Sequence, residues 1–153
     1  MKACLVSVTG LLLSLAAPLC LAQSASGCPA LPAGTNLHWE QSGTARLVIC
    51  KAFDAQGAQA FGVMLTDKEP DKPSGAREEK GKIDGHKVRW YRSSIANRPD
   101  AKTRMAVVDL DDKRYAQIWI DAPSDSALEA TMSIARNLQF DPSHPVADNR
   151  SAD

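Results

Sequence analysis

The chain predicts an α+β domain: an antiparallel sheet with a C-terminal helix packed on one face. Three observations predict it. Short runs of alternating apolar and polar residues recur between about residues 45 and 121, and the last of them, TRMAVVDLDDKRYAQIWID at 103–121, reads as a hairpin. Helical spacing follows only after the strands, in the stretch APSDSALEATMSIARNLQF. Strands first and a helix last implies a sheet with the helix on one side, and such sheets commonly leave the other face wet.

The N-terminal stretch MKACLVSVTGLLLSLAAPLCLA carries a short positive start at Lys2, an uncharged apolar run and the small residue Ala22 at its end. That is the layout of a secretory signal peptide over 1–22, cleaved before Gln23. The run is shorter than the roughly 20 residues of a membrane-spanning helix, and its short basic start suits bacterial export, so the expected location is the periplasm. Cys4 and Cys20 leave with the leader, and Cys28 and Cys50 remain. An even count in an oxidising compartment favours a disulfide between them. The alternative is lipidation of Cys28, because residues 25–28 read ASGC. Against it, Ala25 stands where leucine is usual, and Gln23, Ser24 and Ser26 separate the motif from the apolar run. Only that alternative gives the protein a stable membrane anchor.

ARLVICKAF at 45–53 is a strand by its alternation and β-branched content. FGVMLT at 61–66 is a second, with Phe61, Val63 and Leu65 on one face. NLHWEQ before them is either a strand or an irregular lead-in. Residues 67–80, DKEPDKPSGAREEK, read as a long solvated loop on their prolines and mixed charges. Asp84-Gly85 suits a tight hairpin turn, after which Val88 and Trp90 take one face and Arg89 and Tyr91 the other. IANRPDAK is a loop. In the 103–121 hairpin Ala106, Val108 and Leu110 line one face, and Ala116, Ile118 and Ile120 line the same face of the returning strand. Leu128, Met132, Ala135 and Leu138 recur at helical spacing. Ser126 and Glu129 suggest a capping box, and Asn137 a left-handed helix end. The polar, proline-bearing DPSHPVADNRSAD at 141–153 reads as a disordered tail. The expected organisation is a leader at 1–22, one domain at 23–140 and a tail at 141–153.

The composition narrows function mainly by exclusion. The chain has 18 basic and 18 acidic residues, and removal of Lys2 with the leader leaves 17 against 18. No basic block marks a nucleic-acid binder, so nucleic acid is not an expected partner. His38, His86 and His144 lie at no metal-ligand spacing from one another or from a cysteine, and neither a metal nor another cofactor is expected. Asp109, Asp111 and Asp112 lack the glycine and distal glutamate of a calcium loop. No G-x-S-x-G elbow occurs. The carboxylates Glu40, Glu69, Glu78 and Glu79 are the remaining candidates for hydrolysis, and they read as solvated charges. The expectation is a protein that is not an enzyme.

Alternation gives one positive sign. If Ala116, Ile118 and Ile120 face the helix, then Tyr115, Gln117 and Trp119 face away, together with Arg89 and Tyr91. A sheet surface of Tyr, Trp and Arg has the composition of a binding hot spot. The competing reading is that this face is core, or that the N-terminal lead-in covers it.

The hairpin 104–121 leading into the helix 124–137 and then NLQF resembles the C-terminal part of Mog1/PsbP-like domains, over about residues 86–140. Small exported bacterial proteins of this shape include immunity proteins that block a periplasmic toxin. The resemblance implies an inhibitor or immunity protein against an envelope-acting toxin, or an accessory protein of an envelope assembly. It assigns no residue. A small periplasmic hydrolase is the third reading. The leading expectation is a small exported binding protein with a protein partner.

Overall fold

The structure, a computed structural model, describes residues 27–71, 73, 75–93, 100–111 and 113–140. The expected leader, the expected tail and most of the 95–102 loop lie outside the described residues. Seven strands form one antiparallel sheet: β1 (His38–Thr44), β2 (Leu47–Phe53), β3 (Gln59–Thr66), β4 (Ala76–Ile83), β5 (His86–Arg92), β6 (Lys102–Asp109) and β7 (Tyr115–Ala122). The helix α1 (Asp125–Arg136) follows. The sheet order is β1-β2-β3-β7-β6-β5-β4. Two meanders, β1–β3 and β4–β7, therefore meet at the central β3·β7 pair, where Phe61, Val63 and Leu65 oppose Ile120, Ile118 and Ala116. The architecture is a sheet with one helix, and most of it is sheet.

The core lies on the helix side of the sheet. Val48, Cys50 and Ala52 of β2, Phe61, Val63 and Leu65 of β3, Ala106 and Val108 of β6, and Val88 and Trp90 of β5 are buried there with the β7 residues. Leu128, Met132 and Ala135 are the buried residues of α1, which packs on β7, β6 and β4. The β2–β3 half of the same face is covered differently. Cys28 is bonded to Cys50, with Cα atoms 5.7 Å apart, and draws the segment before β1 onto the sheet. Ala30 pairs in both directions with Gln139, beyond the helix. Trp39 Nε1 donates to the Pro29 carbonyl at 2.8 Å, and the Trp39 ring meets Phe61 edge-on with centroids 5.3 Å apart. The disulfide expected from the cysteine count is present, and the lead-in it pins covers the core face.

Three local expectations change. The segment read as a loop at 67–80 holds the first half of β4. AREEKGKI offers no apolar alternation because it is an edge strand whose open side carries Arg and Lys, a charge pattern that protects edges from stray pairing. The helix is capped by Ser124, whose hydroxyl accepts from Ala127 N at 3.1 Å, so Ser126 stands inside the first turn and the Ser126/Glu129 box does not form the cap. Asn137 does end the helix, but at φ −104°. It works through its side-chain amide, which donates to the Ser133 carbonyl at 2.8 Å, and not through a left-handed backbone. The Asp84-Gly85 turn does use positive φ, 48° and 80°, and Asp84 Oδ2 accepts from Phe140 N at 2.7 Å. That bond ties the chain after the helix back to the β4–β5 hairpin.

Candidate interaction face

The side of the sheet opposite α1 has its own chemistry. Residues directly opposite in an antiparallel pair share a face, so the pairings give its rows. The first runs Tyr91, Met105, Trp119, Gly62, Lys51 and Glu40 across six strands. The second runs Val107, Gln117, Met64, Ile49 and Ser42. The third runs Asp109, Tyr115, Thr66, Leu47 and Thr44. Tyr91, Met105, Trp119, Val107, Gln117, Met64, Ile49 and Tyr115 are all half-buried. No described helix or N-terminal segment lies over them. The lead-in goes to the other side because Cys50 points to the core.

All five residues expected on this face are there. Tyr91 and Trp119 flank Met105 in the first row, Gln117 of the second row donates to the Met105 sulfur at 3.2 Å, and Tyr115 stands in the third. Arg89 lies beside Val107 at the β5 end, where Glu69, Pro70 and Pro73 of the β3–β4 connection enclose a hollow of about 190 Å³ with Lys87, Arg89 and Tyr91. Gly62, Met64, Met105 and Val107 belong to the same face, and their signal in the sequence is that they alternate with the core residues Val63, Leu65, Ala106 and Val108.

Trp119 is held flat by a missing side chain. A Cβ on Gly62 would stand 2.1 to 2.6 Å from three atoms of the indole, so the ring occupies the space that any other residue would fill. Beside it, Ala60, Ser93, Thr103, Met105 and Asp121 help to line a hollow of about 350 Å³. Gly62→Val is expected to lift the ring off the sheet. Acrylamide quenching of tryptophan emission should then rise, while unchanged quenching would show that the ring does not depend on the glycine.

The four candidate carboxylates are not brought together. Glu40 is on β1 at one sheet edge, and Glu78 and Glu79 are on β4 at the other. The β4 pair is engaged with arginines. Arg104 Nε donates to both Glu79 oxygens at 3.3 Å, Glu78 lies 3.0 Å from Arg92 and Arg136 of α1 approaches Glu79 at 3.9 Å. Arg104 shares the helix side with its partner Ile120, so this network is part of the packing between α1 and β4. Among the described residues no group of three or more His, Cys, Asp or Glu is placed to hold a metal ion. No described helix is long and apolar enough to cross a membrane.

No protein-family model, curated protein or solved structure matches the chain.

Proposed function

We propose that this chain is a small exported binding protein, without catalysis of its own, that docks a protein partner on the open face of its sheet. The observation that supports this most is the row Tyr91–Met105–Trp119–Gly62, in which aromatic and thioether side chains lie side by side with no described helix or N-terminal segment above them and the β3–β4 connection at the Tyr91 end. Tyr91, Met105 and Trp119 are half-buried and keep part of their surface open to solvent, and Trp, Tyr and Arg are the residues that dominate binding energy where they are central. The disulfide is compatible with an exported protein. In its sharper form the reading makes the partner an envelope-acting toxin and the chain its inhibitor.

The test compares the protein with its Tyr91→Ala/Trp119→Ala variant as baits in envelope extract. A partner retained by the first and lost by the second, at similar melting temperatures, supports the reading. An identical set of bound proteins for both baits would contradict it.

A further inference from the structure

The β4–β5 hairpin sorts its charges by face. Pairing sets Arg77 against Tyr91, Lys80 against Arg89 and Lys82 against Lys87, and Tyr91 belongs to the open face, so all of these share it. Between Arg77 and Lys80 the register shifts, and Glu78 and Glu79 together oppose Trp90. A bulge of this kind re-aims side chains. Here both carboxylates reach the helix side, where Glu78 meets Arg92 and Arg104 and Glu79 meets Arg104 and Arg136. Regular alternation would send one of the two glutamates to the open face. The bulge leaves that face of the hairpin with Arg77, Lys80, Lys82, Lys87 and Arg89, and with no acid from either strand.

This arrangement costs the free fold stability. Like charges directly opposite across a strand pair are destabilising, and the hairpin stacks two such pairs, Lys80 with Arg89 and Lys82 with Lys87. Among the described residues none of the five cations forms an ion pair, whereas Arg92, Arg104 and Arg136 on the other side all do. We infer that the strip is the charge-reading half of the docking face and takes an acidic segment of a protein partner. Tyr91, Met105 and Trp119 take that segment's apolar neighbours. The inference rests on the reading of the open face as a docking surface and names the chemistry it accepts. Rows on one face of a strand recur at about 6.7 Å, which matches carboxylates on alternate residues of an extended chain. Opposite potentials of this kind set specificity and association rate. An anionic bilayer fits less well. The one exposed large apolar side chain among the described residues is Leu47, on β2 at the far side of the sheet, so the strip has no protruding apolar anchor next to it.

The probes are a peptide of alternating glutamate and threonine, vesicles containing phosphatidylglycerol, and a short DNA duplex. Each is titrated at low salt into ¹⁵N-labelled protein and into its Lys80→Glu/Lys82→Glu variant. The peptide is expected to shift amides of residues 76–92 and of Met105 and Trp119. Its binding should weaken at least tenfold in the variant, and it should fade as added salt screens the charges. The variant turns both like-charge pairs into opposite-charge pairs, so its melting temperature should rise by about 2 °C or more. Equal peptide binding by the variant, shifts centred elsewhere, tighter binding of vesicles or duplex than of peptide, or a lowered melting temperature would each overturn the inference. The envelope-extract comparison separates the two claims. A partner lost with Tyr91→Ala/Trp119→Ala but kept by the charge variant removes the acidic-segment inference and leaves the docking face. A partner kept by both variants removes both.

Discussion

Phe61→Ala lowers the stability of the fold by about 3–5 kcal/mol, the range for emptying a buried aromatic site. Phe61 is 1 % exposed and sits on the central β3·β7 pair opposite Ile120 and Ala52, so neither meander can close over the space it leaves. It is also the platform for the Trp39 ring. The substitution should therefore loosen the N-terminal lead-in and flatten the near-ultraviolet circular dichroism of the tryptophans. Phe61→Leu, which keeps most of the volume, should cost less than about 1.5 kcal/mol. A urea melt in which the alanine and leucine variants lose the same stability would place the strength of the fold elsewhere.

Reduction of the Cys28–Cys50 bridge costs about 3 kcal/mol on the loop-entropy account. The bond closes a loop with a sequence separation of 22, and it holds a segment that has little else to anchor it. Its other ties are the Ala30·Gln139 bridge, the Trp39–Pro29 hydrogen bond and the partly buried Leu31 and Leu37. With the bridge cut, the half of the core face over β2 and β3 that α1 does not reach is exposed. The same loss is expected for Cys28→Ala/Cys50→Ala in the absence of reductant, and this variant should show faster amide exchange in β1 and β2 than in β6 and β7. A loss below about 1 kcal/mol by either route would mean that the lead-in is held by its own contacts.

The parts of this fold that were legible are those where one face of an element is apolar. The hairpin 103–121 is plain because Ala106, Val108, Ala116, Ile118 and Ile120 alternate with polar residues and all point to the core. The helix is plain because Leu128, Met132 and Ala135 make a stripe. β4 was hidden because its open side is Arg77, Lys80 and Lys82 while the facing glutamates answer to Arg92, Arg104 and Arg136, which come from β5, β6 and α1. β1 was ambiguous because, apart from Trp39, its side chains are exposed. The strand order was out of reach, since nothing local says that the chain leaving β3 passes over three strand positions to place β4 at the far edge and that β7 returns to pair with β3.

The candidate face was legible residue by residue, because period-two alternation assigns Arg89, Tyr91, Tyr115, Gln117 and Trp119 to one side. What covers each side was not legible. That depends on Cys50 pointing inward, which sends the lead-in to the helix face and leaves the aromatic face open. The basic strip was hidden for a different reason. In AREEKGKIDGHKVR three acids are interleaved with five bases, and the bulge at Glu78–Glu79 turns two of those acids to the other side of the sheet.

Photo-crosslinking in the living cell tests the central claim most directly. A benzoylphenylalanine in place of Tyr91 or Tyr115 reports from the open face, and one in place of Glu129 reports from the exposed side of α1. The docking-face account predicts the same crosslinked partner from positions 91 and 115 and none from 129. A partner captured from 129 and from neither position on the sheet would contradict it.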